Sequence, residues 1–426
     1  MSRCFTALAR AALPALLIAC FAVPANASAA GATVLSSSAI VYAPDLAQAA
    51  DGSVGIVWDG YPRDQTRCID TYFVRIAPDG SVGAEQTLST AEECARVPQI
   101  AATANGTFTV IWSADDAVRM DRIAADGTPG SPETIGMGGP GEIESDAQGR
   151  AVVVHPGPLG NDFTRHSFRA QAVEIAADGT VGPEMDVSSI GVDSTALAMD
   201  DRGRAIVAWS TGDAFAKKSK HQIQARTLDP GGELGRLRTL SERDERGFNP
   251  VVAANGGRTT VGWVSKDRVR VRQLDDAGKP AAAALTLSRK HAVASAPRLL
   301  PLGKRTSIAW SQAHRWRVVT SGLSAKGKPL PLVKAPERAR GPVLALGPQG
   351  DPLLASVGLE GGSFLSDLPF GKGPANTRPL FGDAVTSGID LATGPAGEVT
   401  VVGRVERALP GRSSIELVRE PAPPSP

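Results

Sequence analysis

One unit recurs eight times along this chain, and that recurrence limits the fold more than any other feature. Its first half reads apolar pair, four or five variable residues, Gly, then an apolar run closing on an aromatic. Leu46-Ala47, Gly52 and Trp58 make one copy, and Ile100-Ala101, Gly106 and Trp112 the next. Leu197, Gly203 and Trp209 repeat it, as do Val252, Gly257 and Trp263. Four weaker copies are Ile143, Gly149 and His155; Leu299, Gly303 and Trp310; Leu344, Gly350 and Ser356; Leu391, Gly397 and Gly403.

The second half recurs as well. An alternating segment such as Tyr72-Phe73-Val74-Arg75-Ile76 or Val269-Arg270-Val271-Arg272 is followed by a turn such as Asp79-Gly80, Asp126-Gly127 or Asp178-Gly179. A short run then ends in Leu88-Ser89, Leu240-Ser241 or Leu287-Ser288. Asp-Gly suits tight hairpins because these turns demand positive φ, which Gly adopts without steric cost. The apolar runs are short and rich in Val and Ile, so they read as strands, and no helical periodicity separates them. Each unit therefore predicts four strands, a to d, and units of this length match the blade of a β-propeller. One such sheet cannot bury both its faces. Stacked between two neighbours it can.

The fold expected is all-β, a propeller of four-stranded blades, with eight blades favoured over seven. The last unit supplies strands a, b and c (389–393, 399–404, 414–419) and then ends in a Pro-rich tail at 421–426, expected to be disordered. Thr33-Val34-Leu35-Ser36 matches Thr87-Leu88-Ser89, a strand of type d. The N-terminal segment is thus expected to complete the last blade and leave no open edge there. Units of the form Pro-x-[Leu/Ile/Val]-Ala…Gly…Val-x-Trp…Val-x-x-Arg…Asp-Gly resemble those of secreted bacterial β-propeller repeat proteins, a family without a characterised activity. The resemblance covers about 33–419. It implies the fold and is nearly silent on activity.

Residues 1–29 read as a signal peptide: Arg3 and Arg10, an apolar stretch from Ala11 to Val23, and small residues at Pro24-Ala25-Asn26-Ala27. Leu17-Ile18-Ala19-Cys20 resembles a lipobox, so a lipid tether at Cys20 competes with cleavage near Ala27 or Ala29. Phe21 and the Ala-x-Ala site favour cleavage. No later apolar run is long enough to span a membrane. The expectation is a secreted or cell-surface monomer with a single propeller domain over 30–420. Its two remaining cysteines, Cys68 and Cys94, are expected to form a disulfide. Lys and Arg number 45 against 44 Asp and Glu, which argues against nucleic acid or acidic membranes as partners.

In a propeller the b–c and d–a loops emerge on one face, and here the b–c loops vary most in length. That face is the default binding site. Its candidates are Asp59, Tyr61, Arg63, Asp64, Asp162, Arg165, His166, Lys217, Lys218, Lys220, His221, Arg243 and Asp244. No catalytic residue, metal ligand or cofactor motif is assigned. The chain has no His-Glu-x-x-His, Gly-x-Ser-x-Gly or P-loop. Gly136-Met137-Gly138-Gly139-Pro140-Gly141 matches a dinucleotide fingerprint, but it lies between two strands with Pro where a helix should open. The Gly-to-Trp spacing also differs from a sialidase Asp box. The expected role is a module that binds an extracellular protein or glycan. The alternative is a hydrolase or lyase acting on an extracellular polysaccharide, with acid and base in the axial funnel.

Overall fold

The computed structural model describes residues 32–421 except 37–39, 43, 63–67, 91, 104–105, 159–167, 189–190, 213–220, 243–244, 256, 290–296, 313–315, 336, 383 and 407–412. Among the described residues there is no helix, and so none long and apolar enough to cross a membrane. Strands form eight separate antiparallel sheets.

These sheets are the blades of an eight-bladed β-propeller. Blades 1 to 7 span 40–87, 96–137, 142–186, 192–239, 247–286, 298–334 and 339–379. Strand a of each blade is innermost: Asp45–Gln48, Arg96–Ala102, Glu142–Ser145, Val192–Met199, Gly247–Asn255, Arg298–Leu302, Ala339–Leu346 and Val385–Thr393. Each packs against the innermost strand of the next blade, and the eighth packs against the first. The ring is closed, and the seven-blade alternative is excluded. In blade 1 a further short segment, Ile40–Val41, pairs with Tyr61 and Gly60 ahead of strand a.

Closure follows the expected route. Blade 8 takes strands a to c from Val385–Thr393, Val399–Glu406 and Ser414–Glu420, and its outer strand is Thr33–Val34. Thr33 lies opposite Leu417 and Val34 opposite Glu416. The Leu35 N–H donates to Ile415 O at 2.8 Å, and the Ile415 N–H to Ser36 Oγ at 2.9 Å. The ends of the chain are thus joined through backbone pairing, and the ring has no free sheet edge at that seam.

The repeated glycines have a common conformational cause. All eight in the a–b turns have positive φ, from 58° at Gly303 to 91° at Gly397. A side chain there would be strained by its own backbone. The c–d turns reuse the same geometry. At Asp79-Gly80 the Gly80 N–H reaches Ala77 O, and Asp79 Oδ1 accepts from both the N–H and the hydroxyl of Ser81.

The aromatic that ends strand b packs between blades. Trp58, Trp112, Trp209, Trp263 and Trp310 are all buried. His155 holds this place in blade 3, fully buried with Nε2 3.1 Å from Glu184 Oε1. In blade 8 the place falls to Gly403, and the Phe381 ring fills the volume: a Cβ on Gly403 would sit 2.6 Å from it. Cys68 and Cys94 form the expected disulfide, tying the b–c connection of blade 1 to the segment leading into blade 2.

Candidate functional site at the axial mouth

The inner edge of every strand a faces the axis with no strand beside it, so its backbone donors need other partners. One position decides how they find them. It is the residue directly before the apolar pair of each repeat, and around the ring it reads Asp45, Gln99, Glu142, Ala196, Val251, Arg298, Val343, Asp390. Register confirms the equivalence, since each lies opposite the residue just before the Trp position of strand b.

Three of the four blades with an acid or amide here use a carboxylate to hold the next blade. Asp390 Oδ2 accepts the Leu46 N–H at 3.0 Å, Asp45 Oδ2 the Ile100 N–H at 2.9 Å, and Glu142 Oε2 the Leu197 N–H at 2.7 Å. Asp390 Oδ1 also accepts the Leu391 N–H at 2.9 Å. Blade 8 is thereby stitched to blade 1, blade 1 to blade 2, and blade 3 to blade 4.

Ring closure also crowds these acids. Burial pushes the Asp45 carboxyl well above the usual carboxylate range, and the neighbouring Asp390 charge adds to it. Asp390 is raised by burial too, while its backbone donors and Arg298 oppose the rise. The two carboxyls interact directly, and that contact raises Asp45 further while it opposes the rise at Asp390. Burial lifts Glu142 to about 7, opposed by the Leu197 N–H and Arg298. Glu144, whose side chain is exposed to solvent, also rises to about 7, through the desolvation that the surrounding strands impose and the Glu142 charge. Arg298 comes from blade 6 and acts on both Asp390 and Glu142, so it reaches across the axis.

Above this floor opens a cavity of about 750 Å³ on the face of the b–c and d–a loops. Asp45, Asp390, Gln99 and Arg298 form its base, and Tyr42, Pro342 and Ile389 are among its apolar walls. The Arg404 guanidinium lies 5.9 Å from the centre of the Tyr42 ring.

The loop candidates from the sequence fare unevenly. Asp59 lines the cavity but is buried, its pKa raised by burial, and its Oδ2 accepts the Val97 N–H at 3.2 Å. Tyr61 is half-buried at the end of strand b. His221 is buried with its ring 4.5 Å from that of Phe248, so it does not present itself to solvent. Arg63, Asp64, Asp162, Arg165, His166, Lys217, Lys218, Lys220, Arg243 and Asp244 lie outside the described residues. Sequence reasoning missed Asp45, Glu142, Glu144, Arg298 and Asp390. The signal that marks four of them is their shared place in the repeat, one residue ahead of the apolar pair.

The acid cluster has a consequence for stability. An unfolded Glu titrates near 4.3, and Glu142 and Glu144 near 7 when folded. As pH rises through that interval the unfolded chain releases these protons first, so folding stability falls. Thermal melts should give a higher midpoint at pH 5 than at pH 8, and Glu144→Gln should flatten the difference. A midpoint that climbs from pH 5 to pH 8 in the parent would contradict protonation of the two glutamates in the folded state.

No family model matches this sequence, and no curated protein matches it. Among solved structures the chain is similar to the Dos1 propeller, at 10% identity and a TM-score of 0.53, over 91% of this chain and 93% of that one. It is also similar to the β-propeller domain of the Trilobed protease from Pyrococcus furiosus, described as having an open velcro topology (9% identity, TM-score 0.48, 82% of this chain and 97% of that one). A third is puromycin hydrolase, at 14% identity and a TM-score of 0.49 over 88% of this chain. This chain spans only 60% of that hydrolase. At 10% identity the likeness to the Dos1 propeller shows the fold alone, and the eight sheets make the chain an eight-bladed β-propeller.

Proposed function

We propose that this propeller is an extracytoplasmic binding module whose ligand is a neutral, hydroxyl-rich molecule, a glycan segment, seated in the axial mouth. The observation that carries this reading is the chemistry of the floor. Burial and the Asp390 charge push Asp45 toward its protonated, donating form, both carboxyls accept backbone N–H bonds and Arg298 is a cation, so the floor offers donors and acceptors together. Sugar hydroxyls both donate and accept, and the exposed Tyr42 ring gives the apolar face of a sugar a surface to lie on.

The same floor argues against turnover by this pair. Glycosidase carboxyls stand about 5–5.5 Å or 6.5–9.5 Å apart, across the scissile bond. Asp45 and Asp390 instead hydrogen-bond each other, and each spends an oxygen on backbone donors of neighbouring strands. The alternative of a polysaccharide hydrolase or lyase rests on Glu144, whose pKa near 7 suits a general acid.

Calorimetry of the purified chain against a panel of neutral oligosaccharides, with reducing ends assayed in the same samples, tests this. Binding without cleavage is expected, weakened about three- to tenfold by Tyr42→Ala and again by Arg298→Ala. Absence of binding across the panel, or unchanged affinity in both variants, would remove the axial mouth as the site. Cleavage lost in Glu144→Gln would establish the alternative.

A further inference from the structure

The internal repeat allows one blade to serve as the control for another, and blades 5 and 6 differ at one slot. In blade 5, Trp263 on strand b stands opposite Arg270 on strand c, which stands opposite Thr286 on strand d. The segment entering that blade sends Glu245 into the slot beside them. Glu245 Oε1 accepts the Trp263 indole N–H at 3.0 Å and lies 3.4 Å from the Arg270 guanidinium, and the Glu245 side chain is buried. Blade 2 repeats the row as Trp112, Arg119 and Thr134, with Glu93 2.8 Å from Arg119, but there the acid engages the arginine alone and the Trp112 indole N–H has no acceptor among the described residues. Both glutamates fall four residues after the serine that follows strand d of the preceding blade, Ser241 and Ser89.

Blade 6 keeps the slot and lacks the acid. Its row reads Trp310, Val319, Lys334. Four residues after Ser288 the sequence has Ala292, and 289–297 contains no Asp or Glu at all. The Trp310 side chain is 1% exposed, and its indole N–H has no acceptor among the described residues. A cavity of about 220 Å³ opens beside it, lined also by Arg289, Gln312 and Lys334. Among the described residues no acid lines it. Ser288 Oγ, the remaining hydroxyl there, already accepts the Val269 N–H at 2.8 Å.

We infer that this crevice between blades 5 and 6 binds a carboxylate brought from outside the blade, in the place Glu245 fills one blade earlier. The Trp310 N–H and the Gln312 amide donate to it, while Arg289 and Lys334 supply the compensating charge at the rim. A buried donor left without an acceptor carries a desolvation cost that an incoming oxygen relieves. The site is separate from the axial mouth. It recognises a single acid group, whether on a small dicarboxylate or on an acidic side chain of a peptide.

Indole signals in 15N–1H correlation spectra of the full chain read this directly, because the six tryptophans give six such signals. Trp310→Phe and Trp263→Phe assign the two that matter. Glutarate and a blocked Gly-Glu-Gly peptide are added in separate series, with glutaramide as the neutral control. The Trp310 signal should move saturably with either acid while the Trp263 signal, already bonded to Glu245, stays. Arg289→Ala with Lys334→Ala, both at exposed positions, should weaken that response about tenfold or more. A Trp310 signal that moves no further than that of Trp263, that follows glutaramide equally, or that responds unchanged in the double variant overturns the inference.

Discussion

Replacing Trp209 by Ala should lower stability by about 3–5 kcal/mol, the range for truncating a large aromatic in a packed core. Its side chain is fully buried between the sheet of blade 3 and its own, among Val152, Val154, Ala172 and Leu197. These neighbours are anchored on paired strands, so little of the void can collapse. In a ring held together by nearest-neighbour contacts, the loss falls on an interface that both blades need. Trp316 provides the internal comparison. It is 40% exposed, and Trp316→Ala should cost under about 1 kcal/mol. Urea unfolding midpoints for both variants check the contrast. A loss at Trp209 as small as at Trp316 would mean that this residue does not seal the interface.

Removing residues 32–36 should have a different signature, in which association accompanies destabilisation. The strand Ser414–Glu420 would then present an unpaired edge, and the donors and acceptors now engaged by Val34, Leu35 and Ser36 would face water or another molecule. Leu35 is buried and contributes to the core between blades 8 and 1, so its removal also opens that core. Light scattering should show oligomers that grow with concentration, and the melting midpoint should fall. A truncated chain as monomeric and as heat-stable as the parent would show that the ring does not depend on this strand.

Much of this fold was legible in the sequence because its markers answer local demands. A positive-φ turn calls for Gly wherever it occurs, so Gly52, Gly106 and their six counterparts mark eight a–b turns regardless of what surrounds them. Thr33-Val34-Leu35-Ser36 was legible for the same reason, because it has the composition of a strand d without a preceding strand c. The axial site was not legible in this way. Asp45 and Asp390 lie near opposite ends of the chain, and neither has a charged partner in its own unit at that position. Their meaning arises only when closure brings blade 8 against blade 1. The position they share varies among acid, amide, base and aliphatic, so it leaves no pattern for the eye to follow. His221 erred in the opposite direction. Its place after a long b–c connection suggested solvent, but the Phe248 ring covers it.

The stitching of blade 8 to blade 1 and of blade 1 to blade 2, like the axial floor, rests on Asp45 and Asp390 lying side by side at the axis. Carboxyl 13C shifts recorded across a pH titration measure this without any ligand. Asp45 should titrate well above the ordinary range for an aspartate, and Asp390→Asn should bring its midpoint down because the neighbouring charge is gone. Two carboxyls that titrate near 4 and ignore each other's substitution would contradict their pairing at the axis and the site built on it.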